Sequence, residues 1–149
     1  MQKEYFKNID ETLISDVLPN GLKINIIPKP QFSKSYAMFT TNYGGADRRF
    51  KLAGNWIDTP AGVAHFLEHK MFDMPDGNAL NVLSSRGASP NAFTSSGITA
   101  YHFESTSMFE ENLRTLLSFV STPYFTAESV QKEQGIIGQE IKMVEDNPG

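Results

Sequence analysis

No cysteine occurs among the 149 residues. Disulfide bracing, thiolate catalysis and Cys-rich zinc sites are therefore excluded. Cationic excess is missing too: 13 Lys and Arg stand against 17 Asp and Glu, a formal charge of −4. A nucleic-acid binder needs the opposite balance to neutralise phosphates. No block of like charge is long enough to act as a tail. No apolar run approaches a membrane span, and the opening MQKEYFKNIDETL holds no apolar stretch of signal-peptide length. The expectation is a cytoplasmic protein with neither nucleic acid nor membrane as partner. Histidine is scarce, at 3 residues, so its placement is informative. The remaining composition, 40% hydrophobic and 20% charged, is enough to bury one core in a chain of this length.

The strand signals come first along the chain. Two apolar runs flank Pro19-Asn20-Gly21 in ISDVLPNGLKINIIP, and Asn-Gly predicts a hairpin. Residues 34–45, KSYAMFTTNYGG, read as a strand. Residues 46–60, mixing charge, Gly and Pro, read as a loop. A helix is expected from Thr59-Pro60, with Thr59 as cap and Pro60 in the first position, through AGVAHFLEHKMF. A second helix, GNALNVLSSRG, should stop at Gly87. NAFTSSGITAYHFES alternates and predicts two strands joined near Ser96-Gly97. Residues 107–120 place Phe109, Leu113, Leu116, Leu117 and Val120 on one helical stripe. A last helix is expected over about 127–146, with Pro148-Gly149 as its stop. Strands and helices in mixed order predict an α+β layer fold, an antiparallel or mixed sheet packed against helices. The terminal helix has nothing after it to cover it, so residues 1–149 read as a single partial domain.

The chemistry concentrates in HFLEHK, residues 65–70. At 100° per residue His65 and His69 lie about 40° apart on a helix, one turn above each other. One ion can touch both imidazoles, and Glu68 on the adjacent flank can work on a water bound to that ion. The pattern is H-x-x-E-H, the inverse of the commoner H-E-x-x-H zinc motif. Chance would produce it on the order of 0.004 times in a chain of this composition. The last helix adds a second signal. Val130, Ile137, Ile141 and Val144 form its apolar stripe, and Glu133 and Glu140 fall inside that sector. A carboxylate facing a core is costly unless it is paired or bound to a cation. Glu145, Asp146, Lys132 and Lys142 point elsewhere, as solvated charges. Glu140 would complete a His-His-Glu set, and three protein ligands plus a water is the usual makeup of a catalytic zinc site. His102 and Glu104 read as structural or surface residues, Glu110 and Glu111 as a solvated helix face, and Asp73 and Asp76 as parts of a turn around Pro75 and Gly77.

GVAHFLEHKMF, then GASPNAFTSSGITAYHF, then KEQGIIGQEIKMVEDNP together resemble the insulinase/pitrilysin family of zinc metallopeptidases, the inverzincins. The opening LPNGLKINIIPKP is similar to that family's first hairpin. The resemblance runs from about residue 14 to residue 148 and is nearest to the bacterial processing-peptidase-like branch. It implies His65, His69 and Glu140 as ligands of Zn2+, Glu68 as general base and Glu133 as a helper carboxylate. It implies that Asn91, Ala92, Phe93 and Thr94 form the strand that pairs with extended peptide substrate. The span from His69 to Glu140 is a few residues shorter than in the processing peptidases, and the Gly-Thr stretch after HKMF is missing.

By that resemblance the chain is the N-terminal, zinc-binding part of a larger endopeptidase that acts on peptides or unfolded proteins. An Arg and a Tyr that act on substrate would come from a later unit, supplied by the rest of its own chain or a second family subunit. The isolated piece should then be weakly active or inactive. The alternative within the same family is a catalytically inactive homologue acting as a peptide-binding or partner subunit. An incidental His pair on a plain α+β domain is the third reading.

Overall fold

Aromatic and β-branched residues mark most of the strands, and the computed structural model describes residues 1–146. The expected stop at Pro148-Gly149 lies outside the described residues, as do the side chains of Ile141, Val144, Glu145 and Asp146. The chain divides into two compact units, Met1–Ser33 and Lys34–Gly149.

The first unit is an antiparallel meander of β1 (Gln2–Phe6), β2 (Glu11–Val17) and β3 (Lys23–Ile26). The predicted hairpin is β2–β3, with Ile14 opposite Ile26 and Val17 opposite Lys23. Its turn closes through Gly21 N–H to the Leu18 carbonyl at 2.8 Å and Leu22 N–H to Asn20 Oδ1 at 3.1 Å. Gly21 takes φ 88°, which glycine adopts without a Cβ clash. Strand β1, in the charged opening, was not expected.

The second unit is built on β4 (Ser35–Thr41), β9 (Ser89–Thr94) and β10 (Thr99–Ser105), antiparallel in the order β4-β10-β9. Tyr101 stands opposite Phe39 on one side and Ala92 on the other. Between β4 and β9 come β5 (Arg49–Leu52), β6 (Asn55–Asp58), α1 (Val63–Lys70), the short strands β7 (Asp73–Met74) and β8 (Gly77–Asn78), and α2 (Ala79–Ser85). After β10 come α3 (Phe109–Ser121) and α4 (Ala127–Asp146). The architecture is α+β. No helix among the described residues is long and apolar enough to cross a membrane.

Three local expectations need correction. Residues 46–60 are not a loop but hold the β5–β6 hairpin, turned by Ala53 and Gly54 at φ 48° and 86°. Two consecutive positive φ values suit a tight hairpin, and Ala-Gly is a weaker signal for it than Asn-Gly. Helix α1 starts not at Thr59-Pro60 but at Val63, after Gly62 at φ 88°. Thr59 instead closes the base of the hairpin, its N–H donating to the Arg48 carbonyl at 2.7 Å. On α3 the expected Leu113, Leu116 and Val120 do face the core, joined by Asn112 and Phe119, while Leu117 and Phe109 are exposed. The stripe is rotated because the Phe119 ring packs on Phe72 and Tyr101, with centroids at 5.1 and 5.7 Å. Helix α2 is capped by Asn78, whose Oδ1 accepts from Leu80 N–H at 2.9 Å.

The core cluster is Phe72, Ala79, Leu83, Ala88, Tyr101, Phe103, Leu116 and Phe119. It fills the space between one face of the three-stranded sheet and the helices. That packing holds α1 next to β9 and β10, which sets the position of the site.

Candidate metal centre

Helix α1 presents two different faces. Ala64 and Glu68 are buried, whereas His65 and His69 turn toward α4. An 8-residue helix is too short to persist alone in water, so burial of the first face is what aims the second. The two imidazoles meet edge to face, with centroids 4.6 Å apart.

Their Nε2 atoms are 3.1 Å apart. Glu140 Oε2, from α4, lies 3.7 Å from His65 Nε2 and 4.0 Å from His69 Nε2. Donor atoms from the three residues all lie within 4.8 Å of one another. Ligand atoms 2.0–2.1 Å from a tetrahedral centre would stand about 3.3 Å apart, so a small inward movement of Glu140 completes the spacing. Glu133 Oε1 accepts from His69 Nδ1–H at 2.7 Å. This bond puts the proton on Nδ1 and leaves the Nε2 lone pair facing His65 and Glu140. Imidazole lone pairs beside a carboxylate need a cation or a proton among them, and the His-His-Glu donor set suits Zn2+. An outer carboxylate that fixes the tautomer and ring orientation is the usual companion of a metal-bound histidine.

Glu68 is only 7% exposed. Its Oε2 accepts from the Thr94 hydroxyl at 2.6 Å. A buried carboxylate beside that hydroxyl is held in one orientation. Burial first, and the Glu68 charge second, push the Tyr101 hydroxyl far above its ordinary range, so it stays neutral.

His65 and Glu68 line one wall of an open groove of about 800 Å³; Gly45, Ala46 and residues 92–96 form the rest. Among the described residues β9 is an edge of its sheet. Ser95 N–H donates to the Ile98 carbonyl at 2.9 Å, and pairing alternates from there. Phe93 and Asn91 therefore bond inward to β10, and the main-chain groups of Ala92 and Thr94 face the free edge. The Asn91 side chain already covers one of these, with Oδ1 accepting from Ala92 N–H at 2.9 Å. The Phe93 ring lies on the outer face with His102, centroids 6.3 Å apart.

The groove end is fixed by backbone. Gly45 N–H and Ala46 N–H donate to the carbonyls of Ser95 and Ser96 at 2.8 and 2.9 Å. A Cβ on Gly44 would fall 2.6 Å from Ile98 N and Ser96 O and closer still to Ser95 O.

The structure thus brings together His65, His69, Glu140, Glu68 and Glu133. It sets Ala92, Phe93 and Thr94 along the groove, with the Asn91 and Phe93 side chains on the sheet face away from the metal cluster. His102 packs between the Tyr36 and Phe93 rings, outside the cluster. Glu104 pairs with Lys34 at 2.7 Å and Glu110 with Arg114 at 2.7 Å, both on the surface. Asp73 sits at the β7–β8 turn, paired with Lys70. Sequence reasoning missed the Thr94 hydroxyl as a partner of Glu68. It also missed the 44–46 loop, for which Gly-Gly was the one available sign.

Residues 53–149 match the family described as Insulinase (Peptidase family M16). The zinc protease YmfH of Bacillus subtilis (strain 168), itself uncharacterized, is 51% identical over 145 residues. That match covers 96% of this chain and 34% of YmfH. The A-factor-processing enzyme of Saccharomyces cerevisiae is 34% identical over 134 residues, covering 84% of this chain and 12% of that protein. A solved structure described as an M16-like peptidase, from Alicyclobacillus acidocaldarius, superposes with a TM-score of 0.88 at 43% identity. It covers 93% of this chain and 33% of that one. Pitrilysin shares the fold, with a TM-score of 0.76 at 19% identity over 96% of this chain and 16% of that one. The chain spans about a third of the length of YmfH.

Proposed function

The chain belongs to the insulinase family of peptidases, M16, and on that premise we propose that it is the zinc-binding catalytic part of an endopeptidase that cleaves extended peptides. The observation that carries this reading is the approach of Glu140 to His65 and His69 next to a buried, hydrogen-bonded Glu68. The names of YmfH and its relatives as zinc proteases support the choice of metal.

Zn2+, when held by His65, His69 and Glu140, supplies Lewis acidity and brings the pKa of a coordinated water toward about 7. This chain's residues do the rest. Glu68 takes the proton from the attacking water and returns it to the leaving amine. The Thr94 hydroxyl keeps the receiving carboxylate aimed into the groove. Glu133 holds His69 in the tautomer that leaves Nε2 free. Substrate adds as a strand along β9, bonding to the main chain of Ala92 and Thr94 and displacing the Asn91 amide from Ala92 N–H. Such main-chain pairing selects for extended or unfolded peptides, because a folded segment has its own main-chain groups already paired.

The test is Glu68→Gln in the full-length protein, with zinc content and cleavage of an unstructured peptide measured together. Retained zinc with cleavage lost by a factor of about 10³ or more supports the role of Glu68. Unchanged cleavage refutes it. Stoichiometric zinc with no turnover in the unaltered protein would assign it instead to a peptide-binding, non-catalytic role.

A further inference from the structure

The residue after the second histidine, Lys70, is fully buried. Its Nζ donates to Asp73 Oδ2 at 2.5 Å and to Ser129 Oγ at 2.8 Å, and lies 5.5 Å from the centroid of the Phe125 ring. A buried ammonium is costly unless its donors are satisfied, and here they are satisfied by two different places in the chain. Asp73 belongs to the turn directly after α1. Ser129 and Phe125 belong to the entry of α4.

Ser129 is part of the cap of that helix. Its N–H donates to Thr126 Oγ1 and its Oγ accepts from Thr126 N–H, both at 3.1 Å, a reciprocal capping box. Lys70 therefore grips the capping box itself. From Ser129 the helix reaches Glu133 after one turn and Glu140 after 11 residues. At 100° per residue all three project from nearly the same side. The two helices then meet in three rungs of opposite direction: Lys70 with Ser129, His69 with Glu133, His65 with Glu140. A slip of α4 by one residue would turn Glu140 away by about 100°.

We propose that Lys70 is a positioning residue, which sets the axial register of α4 against α1 and so delivers Glu133 and Glu140 to the two histidines. Its consequence for zinc rests on the metal-site reading above; its mechanical part does not. The sequence hides it, since a lysine is ordinarily read as surface, and only burial shows that its charge is enclosed.

The test uses the full-length protein with Lys70→Met/Asp73→Asn, which removes both charges together and leaves no unpaired carboxylate. Two readouts are taken: amide hydrogen exchange in metal-free protein, and zinc affinity by competition with a chelator. Exchange across residues 130–140 should quicken at least tenfold while β10 keeps its protection, and zinc affinity should fall about 10- to 100-fold, as for loss of an outer-shell support. Wild-type protection of α4, equal loosening of β10, or unchanged zinc affinity would each overturn the proposal. Thr126→Ala is the control, since it weakens the helix cap but leaves the Lys70–Ser129 bond. If it lowers zinc affinity as much, fraying and not register is responsible, and the proposal fails. Should the unaltered protein bind no zinc, the metal reading falls, while the exchange data still decide the role of Lys70.

Discussion

In the proposed zinc site, removing Glu133 separates the outer support from the candidate ligands. The carboxylate accepts from His69 Nδ1–H at 2.7 Å and is 14% exposed. A hydrogen bond to a charged group is worth about 1.5–3 kcal/mol. At about 1.4 kcal/mol per decade its loss corresponds to a tenfold to hundredfold weakening of zinc binding, the range known for outer partners of metal-bound histidines. Glu133→Ala should show that loss in a competition assay against a chromophoric chelator, with far-UV circular dichroism unchanged. Glu133→Gln keeps an acceptor oxygen and should lose less. Glu140→Ala removes a donor atom and should lose more than either. A Glu133→Ala affinity within twofold of the unaltered protein would show that His69 is oriented by packing alone. A Gln variant no better than Ala would show that the bond geometry is irrelevant.

Gly44→Ala should cost about 2–3 kcal/mol, because the new methyl meets backbone atoms of the 95–98 turn that cannot rotate aside; a thermal midpoint within 1 °C or so of the unaltered protein would contradict this. Thr94→Val keeps the shape but removes the hydroxyl that donates to Glu68 at 2.6 Å. It should lower kcat of the full-length enzyme about tenfold at unchanged zinc affinity, and an unchanged kcat refutes the positioning role. Tyr101 carries a pH signature. Burial, then Glu68, raises its pKa in the folded state above the unfolded value of about 10. The stabilisation is therefore complete below about pH 10 and is lost as pH climbs toward the folded value. Tyr101→Phe should flatten the alkaline decline of thermal stability above pH 10; an unaltered slope would assign that decline to other groups.

What was legible in the sequence was what local chemistry encodes. The i, i+4 histidines, the inward Glu133 and Glu140, the Asn-Gly hairpin and the Ser-Ser-Gly turn between β9 and β10 all carry their signal within a few residues. Three of the misses share one cause, which is that a partner elsewhere in the chain decides the outcome. Thr59 looks like a helix cap until Arg48 supplies a better acceptor across the hairpin. The stripe on α3 is readable only to within a residue until Phe72 and Tyr101 choose Phe119. Lys70 looks like surface because Asp73 is near but Ser129 is 59 residues away. The charged opening conceals β1 because its pairing with β2 leaves all five of its residues exposed, with no apolar alternation to read.

The placement of Glu68, the base of the proposed mechanism, bears on why the site draws on both halves of the second unit. Glu68 lies on the flank of α1 next to His65 and is largely buried, yet it lines the groove beside that histidine. Its available partner is Thr94, at the end of the strand whose free edge faces the groove. Strand β9 and Glu68 are thereby linked by one hydrogen bond. On the proposed reading, a peptide pairing with the main chain of Ala92 and Thr94 would come down beside the Glu68 carboxylate. Glu140, the candidate third ligand, arrives separately, on α4, 71 residues after His69 in the chain. On the proposed reading, substrate register would be set from β9 and ligand geometry from α4, with α1 held between them by the core. A perturbation on the β9 side should change rate at constant zinc affinity, and one on the α4 side should change zinc affinity first. Thr94→Val and Glu133→Ala are expected to separate along that line.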